Sequence, residues 1–124
     1  MKTILHIEDD QDILEIAKLS LELSGEYSVV QFADPEAGLA AARDVAPDVV
    51  LLDLMMPGIS GDQVLARLRE IDTLAQTPVI FMTARAQRQE VQDLIDKGAQ
   101  GVIVKPFDPM TLGSQISALA SKSD

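Results

Sequence analysis

The stretch VVLLDLMMPG, residues 49–58, places a carboxylate in strongly apolar company: of its first seven residues only Asp53 is not hydrophobic. Four apolar residues in a row, without alternation, suit a strand covered on both faces. Pro57-Gly58 then marks a turn. A buried carboxylate is unfavourable unless it is paired or holds a metal. Asp53 therefore needs partners, and the rest of the chain has to supply them.

Moving outward, short apolar runs alternate with longer mixed segments. The runs are TILHI (3–7), YSVVQF (27–32), DVVLLD (48–53), PVIFM (78–82) and GVIVK (101–105). Between them, residues 12–23 place Ile13, Ile16, Ala17, Leu19, Leu21 and Leu23 in a broad apolar helical stripe that stops at Gly25. Asp34-Pro35 reads as an N-cap and first-turn proline opening a helix over 35–45, which Pro47 closes. Residues 61–71 carry Val64, Leu65, Leu68 and Ile71 at helical spacing, and residues 87–97 carry Val91, Leu94 and Ile95 before Gly98. Asp108-Pro109 repeats the cap-plus-proline pattern and is expected to open a last helix with Leu112, Ile116 and Leu119 on one side; the tail SKSD reads as its frayed end. Five strand–helix units imply an α/β fold: a mostly parallel sheet with helices on both faces. Ligands of such folds sit beyond the carboxyl ends of the strands, where strand order reverses.

The bulk properties exclude several classes. A chain of 124 residues, 47% hydrophobic, is one domain able to bury its own core. Without cysteine there are no disulfides, thiolate metal sites or cysteine nucleophiles. No apolar run approaches the roughly 18 residues of a membrane span, and MKTILHIEDD turns acidic too early for a signal peptide. A cytoplasmic location is expected. The net charge of −10 is uneven: residues 1–62 hold 13 acids and 3 bases, residues 63–124 hold 7 of each. No basic cluster exists to neutralise phosphates, so nucleic acid is not expected as a direct partner.

The strand ends collect the chemistry. Glu8, Asp9 and Asp10 follow the first strand, Asp53 ends the third, Thr83 and Ala84 follow the fourth, and Lys105-Pro106 ends the fifth. If the first and third strands are neighbours, the acids converge on one crevice bordered by Thr83 and Lys105. Crowded carboxylates favour a hard cation such as magnesium. The single histidine, His6, lies inside the first strand and reads as a packed or hydrogen-bonded core residue. Magnesium, a lysine, a hydroxyl and a carboxylate make a phosphoryl-transfer set. In it Asp53 is the nucleophile that becomes an acyl phosphate, Lys105 and Thr83 face the phosphoryl oxygens, and backbone N–H groups near Ala84 assist.

At this point the chain closely resembles the receiver domain of bacterial two-component response regulators. The matching stretches are ILHIEDDQD, VVLLDLMMPGISG, VIFMTARA and GAQGVIVKPFD, which together frame the whole chain, residues 1–124, as a single receiver domain. The resemblance implies a flavodoxin-like, five-stranded parallel sheet in the order 2-1-3-4-5. It implies Asp53 as phosphoacceptor, and Glu8 and Asp9 binding Mg2+ with Asp53 and the backbone carbonyl of Met55. It implies Thr83 as the switch hydroxyl and Lys105 as the family's lysine, joined to Pro106 by a cis bond. Asp10 is assigned to capping the first helix, Asp12 to its first turn, Pro57, Gly58 and Gly61 to shaping the loop after Asp53, and Phe107 to packing behind Lys105. Met55-Met56 reads as loop and core packing; Arg85 and Met55 stand at the rim, where they can control access of water to the phosphoryl group.

One position departs from the family pattern. Where many receivers carry an aromatic ring that swings inward on activation, three residues before the lysine, this chain has Val102. Output through a coupled threonine–aromatic pair is therefore in doubt, and a smaller movement of Thr83 and its loop is expected instead. The resemblance implies a phosphohistidine donor on a sensor histidine kinase or histidine phosphotransfer protein, and a downstream protein target reached through the fourth helix, fifth strand and fifth helix. It implies a phosphorylation-controlled switch rather than a turnover enzyme, and a stand-alone regulator is favoured over one receiver of a longer protein. Rival readings are a receiver-like binding module that is not phosphorylated, an aspartyl-phosphate phosphatase, and a flavin carrier. The phosphatase requires an aspartate where Met55 stands. The flavin carrier requires a phosphate cradle where IEDDQD places acids.

Overall fold

A computed structural model describes residues 1–84 and 86–121. Arg85, and residues 122–124 of the expected frayed tail, lie outside the described residues. The elements are β1 (Lys2–Ile7), α1 (Gln11–Leu23), β2 (Tyr27–Phe32), α2 (Pro35–Val45), β3 (Val49–Asp53), α3 (Gly61–Arg69), a 3-10 turn at Asp72–Leu74, β4 (Val79–Thr83), α4 (Arg88–Asp96), β5 (Gly101–Val104) and α5 (Leu112–Ala120). All strands are parallel, in the order β2-β1-β3-β4-β5. Strand order reverses between β1 and β3, so the crevice lies beside Asp53.

Apolar runs become strands because both sheet faces are covered. One core joins Leu5, Ile7, Leu52 and Phe81 to Leu39, Val64, Leu65, Leu68 and Leu94 of α2, α3 and α4. The other joins Ile4, Leu51, Ile80 and Met82 to Ala17, Leu21, Leu112 and Ile116 of α1 and α5. Local chemistry sets the helix starts. Asp10 Oδ1 accepts from the backbone N–H of Asp12 (2.9 Å) and Ile13 (3.4 Å), the capping role assigned to it. Asp34 caps α2, with Pro35 in its first turn, and the helix ends on Ala46 in the left-handed region. Ser60 and Gln63 form a capping box on α3.

Three expectations are corrected. α3 stops at Arg69 rather than 71, and the chain turns into the 3-10 segment, where Arg69 donates to the carbonyls of Leu74 (2.8 Å), Thr77 (2.7 Å) and Gly98 (3.0 Å). Asp108-Pro109 opens a turn and not the last helix. The Asp108 carboxylate takes the N–H of Met110 (2.9 Å), its carbonyl takes that of Thr111 (3.0 Å), and α5 begins at Leu112. The apolar stripe of α1 is only partly core. Leu14, Ala17 and Leu21 are buried, whereas Ile16, Leu19 and Leu23 are 47%, 69% and 81% exposed. The sheet covers one narrow face of the helix, and the i, i+3, i+7 row Leu14, Ala17, Leu21 fills it.

β2 is an outer strand, and α1 covers part of its free edge. Lys18 Nζ donates to the Val29 carbonyl (3.2 Å), and Val29 N–H donates to Glu22 Oε2 (3.1 Å).

Candidate phosphoryl-transfer site

The register builds the site. Ile7 pairs with Leu52 across β1 and β3, and Asp53 pairs with Met82 across β3 and β4. The residues just beyond these pairs therefore meet at one end of the sheet. Glu8, Asp9 and Asp53 each present a carboxylate oxygen within 4.8 Å of the others. Glu8 and Asp53 are buried, and Asp9 is exposed. Lys105 Nζ lies 3.0 Å from Asp53 Oδ1 and 3.0 Å from Glu8 Oε1, bridging the two buried acids. Glu8 Oε2 also accepts from the backbone N–H of Asp10 (3.2 Å), and Asp53 Oδ1 accepts from that of Met55 (3.4 Å).

The loop after β3 passes close by because Gly61 has no side chain. A Cβ there would meet the Asp53 carbonyl oxygen, Leu54 Cα at 2.9 Å and the Phe81 ring at 2.9 Å. Gly58 takes φ +87, which a left-handed turn asks of glycine. Met55 is 69% exposed at the rim, while Met56 packs on the first core.

The electrostatics follow from crowding. Burial first, and Asp53 second, push the Glu8 carboxyl up to about 7, against the pull of Lys105. Asp9 is raised too, by partial desolvation and then by Asp53. Burial pulls the Lys105 ammonium down, but its hydrogen bonds and ion pairs with Asp53 and Glu8 outweigh that and raise it overall. The site thus holds more negative charge than one lysine balances, in an oxygen-only donor set that fits a hard divalent cation.

Thr83 is buried at the end of β4, and its carbonyl accepts from Lys105 N–H (2.8 Å), which ties the two strand ends together. Ala84 follows, exposed. The Lys105–Pro106 bond is cis. Phe107, half-buried, packs on the second core, and Val102, half-buried, packs on the first. The rim position assigned to Arg85 lies outside the described residues. His6 is fully buried and hydrogen-bonded to Gln31 (3.2 Å), as a core histidine should be. Sequence reasoning missed Gln31 and Arg69, whose contacts run through side chains to distant carbonyls and leave no periodic signal.

The model of the response regulator receiver domain matches residues 4–117. The chain belongs to the response-regulator receiver family. Among curated relatives of this receiver, the "DNA-binding dual master transcriptional regulator RpaA" of Synechocystis sp. is 37% identical over 124 residues, all of this chain and 51% of the relative. The "Uncharacterized transcriptional regulatory protein YkoG" of Bacillus subtilis is 42% identical over 115 residues, 93% of this chain and 49% of the relative. The receiver thus spans about half the length of these relatives. Among solved structures, chemotaxis response regulator CheY4 of Vibrio cholerae superposes with a TM-score of 0.90 at 28% identity, covering 96% of this chain and 98% of that one. The "BeF3 Activated DrrB Receiver Domain" does so at 0.82 and 28%, covering 98% and 99%. The receiver's acid cluster is of the kind that serves phosphoaspartate signalling, which makes it a switch performing self-phosphorylation chemistry and not a classical enzyme. No helix among the described residues is long and apolar enough to cross a membrane.

Proposed function

We propose that Asp53 is the phosphoacceptor of a two-component phosphorelay. Its carboxylate oxygen attacks phosphorus and forms an acyl phosphate as the P–N bond of a phosphohistidine breaks. The leaving imidazole nitrogen keeps the bonding pair and takes a proton from solvent. Mg2+ would be held by Glu8, Asp9, Asp53 and the Met55 carbonyl, and when bound supplies charge neutralisation for a phosphoryl oxygen. Lys105, already 3.0 Å from Asp53, neutralises another oxygen. Thr83 and the backbone N–H of Ala84 complete the phosphoryl site, with Pro57, Gly61 and the cis Pro106 setting the loops around it. The observation that carries this reading is the meeting of three carboxylates from two strand ends, two of them bridged by one lysine.

The phosphodonor, a sensor histidine kinase or histidine phosphotransfer protein, docks on the apolar ground beside the site. A hollow of about 290 Å3 lined by Ile13, Ile16, Ala84, Lys105 and Phe107 reaches Lys105 itself. It adjoins a second of about 540 Å3 lined by Ile16, Leu19, Leu23, Pro109 and Met110. The new phosphoryl charge draws Thr83 and Lys105 inward and biases the surface of α4, β5 and α5, which a downstream protein reads. With Val102 in place of a ring, a smaller movement of Thr83 and its loop carries that bias to the surface. We read residues 1–124 as a single cytoplasmic receiver acting by protein contact.

The test is mass spectrometry after incubation with Mg2+ and acetyl phosphate. The wild type should gain about 80 Da, the mass of one phosphoryl group, and Asp53→Ala should gain nothing. An equal gain in the variant would move the site elsewhere; no gain in the wild type would favour a silent binding module.

A further inference from the structure

Gln31 of β2 sits opposite His6 of β1 in the sheet register. Its amide nitrogen donates twice, to the Leu14 carbonyl at 2.7 Å and to His6 Nδ1 at 3.2 Å, so both amide hydrogens are used. An accepting Nδ1 fixes the tautomer: the ring is neutral, with its proton on Nε2. Along the chain, His6 and Leu14 bracket the turn from β1 to α1. Glu8, Asp9 and Asp10 all lie between them. A single side-chain amide on a third element therefore ties together the two ends of the segment that carries two of the three clustered acids.

The choice of histidine works against the fold. His6 is completely buried, and its Nε2 has no hydrogen-bond partner among the described residues. An aliphatic residue at this position, beside Leu51 in the register, would bring no unspent buried donor of its own, but would leave one Gln31 N–H without its acceptor. The gain from an imidazole must lie in what Nδ1 holds. His6 also lies directly below the site: Asp53 follows Leu51 by two residues, on the same face of β3. Its imidazole feels the charges of both Lys105 and Asp53.

We propose that His6 and Gln31 are positioning residues that brace the Glu8–Asp9 turn at the spacing the cation requires. The inference rests on the Mg2+ site proposed above and extends it to two side chains that touch neither cation nor phosphoryl group. The test compares His6→Leu, which keeps packing and removes the acceptor, with His6→Asn, whose amide oxygen can replace Nδ1. Mg2+ affinity is measured by titration calorimetry and fold stability by urea unfolding at the same pH, near 7.5. His6→Leu exchanges the unpaired Nε2–H for an unpaired Gln31 N–H, so it should be about as stable as the wild type yet bind Mg2+ about tenfold more weakly, as loss of an outer partner does. His6→Asn should recover most of the affinity. Gln31→Leu should repeat the loss, and it carries the comparison if His6→Leu does not fold. Unchanged affinity in the leucine variants overturns the brace while leaving the metal site intact. A wild type that binds no Mg2+ overturns the metal site and the brace with it.

Discussion

At the scale of single residues, the acid site is a balance of charge that pH can tilt. Glu8, held up to about 7, keeps a proton that the unfolded chain would release near 4.5. In the metal-free protein that preference adds stability at low pH, and the stability is lost as pH rises through 7. His6 works the other way. Its imidazole is pulled down to about 4 from 6.5, so its contribution is full above 6.5 and is lost as pH falls through 4. The two oppose each other in overlapping windows, and a bare stability profile would blur them. A Mg2+-dependent part would separate them, because a cation held by the acid cluster would compete with the Glu8 proton, and His6 is not in that cluster. The thermal shift on adding Mg2+ is therefore expected to grow from about pH 6 to about pH 8 and then level off. A shift that is flat across this range would remove Glu8 from the metal site.

At the scale of elements, the β3–α3 junction is where packing and chemistry meet. Gly61→Ala drives a methyl group into the Asp53 carbonyl, Leu54 and the Phe81 ring. Backbone on one side and a core aromatic on the other leave little room to yield. A loss of about 2 kcal/mol is expected in urea unfolding, together with slower phosphorylation by acetyl phosphate; a variant as stable as the wild type would mean the junction relaxes freely. Much at this scale was legible in the sequence. The five apolar runs became the five strands because both sheet faces are covered, and Asp10 and Asp34 cap the helices their positions foretold. The Asp53 cluster was legible because Glu8, Asp9, Thr83 and Lys105 all fall at or just beyond strand ends. What was not legible depended on geometry that no local pattern records. Asp34-Pro35 and Asp108-Pro109 look alike, yet the second folds into a turn through Met110 and Thr111 before α5 begins. Ile16, Leu19 and Leu23 recur at helical spacing too, but on the side of α1 turned away from the buried row Leu14, Ala17, Leu21.

At the scale of the whole molecule, those uncovered side chains define a face. Leu19, Leu23 and Met110, at 69%, 81% and 90% exposure, form apolar ground on a chain of net charge −10, continuous with the hollow that reaches Lys105. Large exposed apolar ground of this kind marks a contact surface. Replacing Leu19 and Leu23 together by serine should leave stability within about 0.5 kcal/mol, since neither is buried. It should slow transfer from a phosphorylated protein donor about tenfold, as loss of about 1.4 kcal/mol of contact implies, and leave uptake from acetyl phosphate unchanged. Equal slowing with both donors would place the defect in the chemistry, and none with either would move the docking face elsewhere. The opposite flank of the same helix has a quieter consequence. By spending the charged ends of Lys18 and Glu22 on the backbone carbonyl and N–H of Val29, α1 obstructs the middle of the β2 margin to an extended chain seeking a template. One helix can thus offer a greasy surface to a partner while denying the neighbouring strand to polymerisation.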